Sequence, residues 1–172
     1  MPASPIPDTA LVEIEDAHFA WLLGEGPAPS PMLRLPPGGM DTAETLGIVR
    51  RMTRRLYRSG SRGSWLVVSG GEAVGLASYK QKPDAHGVVE IGYGIAASRR
   101  GLGHATRAVA ALLGHARADP AVGAVRAETA AANVASQRAL ERNGFAPYGT
   151  GDDPDDGPMI LWRLALKAVA QA

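Results

Sequence analysis

The residues of this chain best placed to do chemistry lie in one run, Glu90-Ile-Gly-Tyr-Gly-Ile-Ala-Ala-Ser-Arg-Arg-Gly-Leu-Gly-His-Ala-Thr106. A strand-like stretch, Val88–Ala96, enters a turn built on Arg100, Gly101 and Gly103, and the turn opens into an apolar-periodic helix. A helix start offers unpaired N–H groups and about half a positive charge, so a glycine turn feeding it can cradle an anion. Phosphate is the ligand this suits. The plainer reading is a glycine turn that only begins a helix. A Walker P-loop is excluded because no Gly-Lys-Ser/Thr follows. A dinucleotide fingerprint would stand near the start of a βαβ unit, with an acidic residue about twenty positions on. Three strands precede this turn, which argues against that.

The elements that must position the turn are legible on either side of it. Leu11–Leu23 reads as a helix, with Leu11, Ile14, Ala17, His18, Trp21 and Leu22 near one face. Gly24–Gly39 holds five prolines and four glycines and reads as a loop, with room for a short strand at Met32–Leu35. Asp41 and Glu44 have capping-box spacing for a helix that runs to Arg58 with an apolar stripe of Ile48, Val49, Met52 and Leu56. Ser64–Ser69 and Glu72–Lys80 form a hairpin through Gly70-Gly71, and Val88–Ala96 is a third strand. Leu102, Ala105, Val109, Leu112, Leu113 and Ala116 mark the helix after the turn. Then come a strand at Val122–Thr129, a helix at Asn133–Asn143 closed by Gly144, and strands at Phe145–Tyr148 and Met159–Leu166. This order predicts an α/β fold with a mixed sheet and helices on both faces.

Bulk properties narrow the class. The 172 residues suit a single domain over 9–172, with 1–8 as a disordered tail rich in proline. The chain is 45% hydrophobic and 20% charged, with a net charge of +1, so composition gives no push toward nucleic acid or an anionic membrane. Cysteine is absent, which excludes disulfides, thiolate metal sites and a cysteine acyl-enzyme. No run approaches the roughly 20 apolar residues of a membrane span and no signal peptide is visible, so a cytoplasmic address is expected. The abundance of arginine over lysine, with much alanine and glycine, hints at a GC-rich bacterial genome.

Two blocks carry a family resemblance. Arg100-Gly-Leu-Gly-His-Ala105 matches the phosphate motif of the GNAT N-acetyltransferases. Asn133-Val-Ala-Ser136, with Leu140-Glu141 and Gly144-Phe145, resembles the second motif of that superfamily, in the wording of the branch that acetylates ribosomal-protein N-termini. The likeness covers about residues 41–166, and the usual first strand has no evident counterpart. The resemblance implies a central, mostly antiparallel sheet that splays, with acetyl-CoA as co-substrate and no metal. Its pyrophosphate would rest on the backbone of Arg100, Gly101, Leu102, Gly103, His104, Ala105 and Thr106. Free backbone groups of Gly94, Ile95 and Ala96 would meet the pantetheine arm and thioester carbonyl, and one N–H would stabilise the oxyanion. Asn133 would reach the pantetheine arm, a role compatible with simple N-capping. Ser136 would face the thioester sulfur, or else serve as a small residue that permits close packing.

Acid–base roles follow from the substrate. A lysine-type amine is roughly 0.04% neutral at pH 7, and an N-terminal α-amine about 10%. A general base therefore matters most for lysine-like acceptors. Glu90 is the candidate, with a solvated strand-edge carboxylate as the plainer reading. Many GNAT enzymes carry a tyrosine seven residues after the motif asparagine as acid to the thiolate. Here that position is Leu140, so Ser136, water or Tyr148 is left to substitute.

The expected activity is acetyl transfer to a primary amine: a protein N-terminus, amino acid, polyamine or drug. A non-catalytic acyl-CoA sensor is the first alternative. A nucleic-acid-binding module using Arg50, Arg51, Arg54, Arg55 and Arg58 is the second, set against a solvated helix face. The acidic loop with Asp152, Asp153, Asp155 and Asp156 could steer a cationic amine or simply be a solvated turn. The oligomeric state stays open, a homodimer among the arrangements.

Overall fold

The computed structural model describes residues 8–166. Residues 1–7 of the expected tail and 167–172 of the expected domain lie outside them. The strands are β1 (Thr9–Glu13), β2 (Ser64–Ser69), β3 (Glu72–Tyr79), β4 (Val88–Ile95), β5 (Ala124–Ala130), β6 (Ala146–Asp153) and β7 (Gly157–Ala165). The helices are α1 (Asp16–Leu22), α2 (Ala43–Arg58), α3 (His104–Ala118) and α4 (Val134–Arg142). One seven-stranded sheet runs β1-β2-β3-β4-β5-β7-β6. Every neighbouring pair is antiparallel except β4 with β5.

The sheet carries an apolar cluster on each face. On one side, α3 and α4 cover Val67, Ala77, Ile91, Val125 and Trp162, with Val109, Leu112, Leu113 and Leu140 as the helical contribution. On the other, α1 and α2 bring Phe19, Trp21 and Leu46 against Leu66, Ala73 and Ala96. Alternation along each strand produces this division, since successive side chains point to opposite faces. The tight β2–β3 hairpin needs glycine at both turn positions, where φ is 57° at Gly70 and 77° at Gly71.

The expected helix Leu11–Leu23 is corrected to a strand followed by a shorter helix. Thr9–Glu13 pairs with β2 from Thr9↔Ser69 to Glu13↔Trp65. Leu11 packs on the α3 side, whereas Ile14 and Phe19 enter the α2 side. Residues that share a face on a helical projection thus serve opposite faces of the sheet. This strand is the first strand that the resemblance lacked. At α2 the cap is Thr42, whose Oγ1 accepts from Thr45 N (3.1 Å), and Asp41 instead accepts from Thr42 N (2.7 Å). Ile48 and Leu102 are not core residues; they are 51% and 53% exposed. Within Met32–Leu35 only Arg34 pairs, forming a bridge with Glu72. The acidic loop is shorter than expected because Asp152 and Asp153 belong to β6, and Asp153 Oδ1 closes the turn by accepting from Asp155 N (2.8 Å) and Asp156 N (3.0 Å).

Candidate active site

The sheet opens where its two halves meet. β4 pairs with β5 only from Val88↔Ala124 to Ile91↔Ala127, yet it stays paired with β3 out to Gly75↔Ile95. Beyond Ile91 the two parallel strands part. Glu90 O accepts from Lys80 N (2.8 Å) and Ala96 N donates to Val74 O (2.8 Å), so even-numbered residues of this stretch turn their backbone groups to β3. By alternation, Tyr93 and Ile95 turn theirs into the opening. The backbone groups of Gly94 and the N–H of Ala96 are therefore not available to a ligand, contrary to expectation, which leaves Ile95 of the three.

A cleft of about 670 Å³ fills the opening. This lies within the range of roughly 300–1,000 Å³ typical of ligand sites. From β4 it is lined by Tyr93, Gly94 and Ile95; from the turn and α3 by Arg99, Arg100, Gly101, Gly103, His104, Ala105 and Thr106; from α4 by Asn133, Ser136, Arg138 and Arg142, among others. Most candidate cofactor residues thus share one cavity. Leu102, Ala96 and Glu90 do not line it.

The turn is a backbone cradle. Gly103 is the N-cap of α3 in the left-handed region (φ 78°), and Gly101 also has positive φ (76°). The ladder of α3 begins at Arg107, whose N–H reaches Gly103 O (3.2 Å), so the N–H groups of His104–Thr106 have no helical carbonyl to bond. Arg99 anchors the turn to the sheet by donating from Nη2 to Glu72 Oε2 (3.0 Å) and from Nε to Oε1. That pairing, above all the Arg99 bond, holds the Glu72 carboxyl below its ordinary range. Arg100 Nε donates to Ile95 O (3.2 Å), laying this side chain along β4. His104 is 6% exposed, and its Nδ1 accepts from Arg107 Nη2 (3.2 Å). Burial first, then the neighbouring arginines, pushes its imidazole below the ordinary value.

Across the cleft, Asn133 Oδ1 caps α4 by accepting from Ser136 N (3.1 Å). Ser136 Oγ lies 2.7 Å from the hydroxyl of Tyr93, which also reaches Ser136 O (3.2 Å). Tyr93 is a site residue that the sequence did not single out. Burial raises its phenol above the ordinary value, and the Ser136 bond opposes this. Leu140 is fully buried in the core and absent from the cleft. Tyr148 stands 52% exposed on β6 and does not line the cleft either. Arg138 and Arg142 were missed too, although their spacing of four residues on α4 was a readable sign that they share a face.

A second cavity, about 210 Å³, meets the first at Tyr93 and Gly94. It lies between α2 and the β3–β4 surface, and Asp41, Met52 and Lys80 are among its lining. Glu90 falls on the same face of β4 as Gly92 and Gly94. Its carboxylate is held by Lys80 Nζ (2.5 Å) and Arg126 Nη2 (3.0 Å) and its side chain is 13% exposed. Among the described residues no group of three or more His, Asp or Glu is arranged to hold a metal, and no helix is long and apolar enough to cross a membrane.

The cleft thus joins an anion cradle to a splayed strand, and the sequence match gives the family. The acetyltransferase (GNAT) domain signature matches residues 11–146. The chain belongs to the GNAT acetyltransferase family. Its fold is shared with RimL, a ribosomal L7/L12 alpha-N-protein acetyltransferase solved with coenzyme A, at 17% identity and a TM-score of 0.70 over 95% of this chain and 96% of that one. It is shared also with the aminoglycoside acetyltransferase AAC(6')-Ib in complex with coenzyme A, at 22% identity and a TM-score of 0.65 over 91% and 94%. A GNAT-family acetyltransferase from Bacillus anthracis aligns at 16% identity with a TM-score of 0.65 over 94% and 97%. No curated protein is similar enough in sequence to be matched.

Proposed function

We propose that this chain is an acetyl-CoA-dependent N-acetyltransferase that transfers acetyl directly to a primary amine. The observation that carries this is the meeting of two cavities at Tyr93 and Gly94. One has an anion cradle and a splayed strand; the other has mainly apolar walls. Acetyl-CoA would lie in the first with its pyrophosphate on the turn from Arg100 to Thr106 and its pantetheine arm along Tyr93–Ile95. The amine would enter from the second. RimL and AAC(6')-Ib, which share the fold, are named for amine acceptors of very different size.

In the reaction the neutral amine attacks the thioester carbonyl, the C–N bond forms and the C–S bond breaks. The proton shed by nitrogen ends on the thiolate. A backbone N–H of β4 facing the opening, Ile95 by the alternation above, stabilises the oxyanion. Ser136 Oγ, held by Tyr93, gives its proton to sulfur and regains the one that nitrogen sheds. Glu90 takes the proton of the incoming ammonium through water, because its carboxylate lies beside the acceptor cavity and not in it. Asn133 holds the start of α4 and so the position of Ser136.

The acyl-CoA-sensor reading keeps two observations in its favour: Leu140 fills the core where many family members keep an acid, and Glu90 is already paired twice. The nucleic-acid reading loses ground because Arg50 is bound by Asp16 (2.6 Å) and Glu25 (3.0 Å), and Arg54 by Asp16 (2.7 Å). Acetyl-CoA as co-substrate suits a cytoplasmic bacterial enzyme. Calorimetric titration with acetyl-CoA, followed by measurement of CoA thiol release with an amine panel, tests the proposal. Binding with release supports it, binding without release selects the sensor, and no binding refutes both.

A further inference from the structure

The second cavity bears on which amine is accepted, and this inference rests on the acetyltransferase reading. Its apolar walls are Met40, Val49, Met52 and Leu76, with the hydroxyls of Thr45 and Ser78 among them. Thr45, Val49 and Met52 are spaced four and three residues apart on α2, one continuous stripe turned to the sheet. The floor comes from β3 and β4, where Leu76 pairs with Gly94 and Ser78 with Gly92. Glycine keeps that floor open: a Cβ at Gly94 would meet no atom within 4 Å, and one at Gly92 would lie 3.7 Å from Lys80 Cε. Both therefore stand where side chains would otherwise fill the passage to the cofactor cleft.

Size and charge select the occupant. The cavity of about 210 Å³ exceeds the roughly 150 Å³ apolar cavity that accepts a benzene ring, but falls below the roughly 300 Å³ at which drug-sized sites begin. Its charged lining is one carboxylate, Asp41, and one ammonium, Lys80. Lys80 is engaged by Glu90 (2.5 Å), and one oxygen of Asp41 already accepts Thr42 N–H (2.7 Å). One incoming ammonium can find a counter-charge at Asp41 on its way in, before it gives up its proton. Glu90, beside the cavity, is already held by Lys80 and Arg126, so a second or third would be desolvated against methionine, valine and leucine with no free carboxylate.

We propose that the acceptor is a singly charged primary amine on a compact apolar body, and that this pocket discriminates against polycationic acceptors such as polyamines and aminoglycosides. The test compares 2-phenylethylamine and leucinamide with spermidine and kanamycin as acceptors, reading CoA thiol release, with acetyl-CoA affinity measured separately by calorimetry. The expected result is a kcat/KM at least about tenfold higher for the apolar monoamines. Met52→Asp, which alters the second cavity only, is expected to narrow or invert that ratio by about tenfold while acetyl-CoA affinity holds. Preference for spermidine or kanamycin in the wild type overturns the inference. So does acetyl-CoA binding without acetylation of either apolar monoamine. Failure of the folded wild type to bind acetyl-CoA overturns the acetyltransferase reading itself, and this inference with it.

Discussion

Replacing Gly101 and Gly103 singly by alanine should rank the two positions one way in stability and the other way in cofactor binding. Both occupy the left-handed region, with φ of 76° and 78°. A side chain there costs about 1–2 kcal/mol. An added Cβ at Gly101 would meet nothing within 4 Å, whereas at Gly103 it would come within 2.9 Å of Arg107 Nη1. The Arg107 guanidinium can swing away only by giving up bonds from Nη2 to Leu102 O (2.9 Å) and His104 Nδ1 (3.2 Å) and from Nε to Thr9 Oγ1 (3.0 Å). Each is worth about 0.5–1.5 kcal/mol. Gly101→Ala should therefore cost about 1–2 kcal/mol and Gly103→Ala about 2.5–6.5 kcal/mol, read by urea unfolding. Binding reverses the order. Both glycines border the cleft, but only at Gly101 would the added methyl project into open space, since at Gly103 it points at Arg107. Displacing a phosphate from one backbone N–H forfeits about 1.5–3 kcal/mol, or roughly 10- to 150-fold in acetyl-CoA Kd. Equal destabilisation by the two alanines would refute the Arg107 argument. Lack of coupling between Gly103→Ala and Arg107→Ala in a double-mutant cycle would do the same. Unchanged acetyl-CoA affinity in Gly101→Ala would refute the cradle.

Other expectations concern the cleft and its surroundings. Ser136→Ala should lower kcat roughly 10²-fold, as for other positioned proton donors. Tyr93→Phe should lower it less, and the double variant should be no slower than Ser136→Ala, since Tyr93 acts through Ser136; additive losses would contradict that. The folded-state imidazole of His104 sits below the ordinary 6.5. The unfolded chain then binds the extra proton first, so stability should fall as pH drops below 6.5, with the loss complete below the folded value. His104→Gln should flatten that slope, and bound acetyl-CoA should raise the His104 pKa in an NMR titration. The carboxyl of Asp16 is held down to about 2, first by its bond from Arg50. Its contribution is present above pH 3.8 and lost as pH falls through about 2. Because Asp16 is 51% exposed, Asp16→Asn should cost only about 0.2–1 kcal/mol at neutral pH and less in high salt.

The turn from Arg100 to Thr106 and the cap at Asn133 were legible because local chemistry determines them. Positive φ demands glycine, an N-cap demands a side-chain acceptor, and both act within a few residues. β1 was not legible. Leu11, Ile14, His18 and Trp21 fall at helical spacing, and only the ladder to β2 divides them between two faces. The cue lay in Thr9 and Val12, β-branched residues that suit a strand. Glu15 was a further cue, since His18 Nδ1 accepts its N–H (3.0 Å) at the entry to α1. Tyr93 could be read as a strand residue but not as the partner of Ser136, because that contact spans 43 residues of chain. The pocket under α2 was invisible for the same reason. Its stripe of Thr45, Val49 and Met52 reads as ordinary core until the glycines opposite leave the space unfilled.

The short junction between β4 and β5 also divides the polypeptide as a length of chain. The β1–β4 side of the sheet with α1 and α2 comes wholly from the first part of the sequence, the β5–β7 side with α4 from the last, and α3 is their link. A cut in the connection between Ala118 and Ala124 severs no strand or helix. The two pieces would be rejoined by the ladder from Val88 to Ile91 and by apolar packing around α3. A cofactor lying across both would add to that attachment by mass action. Co-expressed fragments of this chain should therefore reassemble more completely as acetyl-CoA rises, which would make the divided protein a reporter of its own ligand.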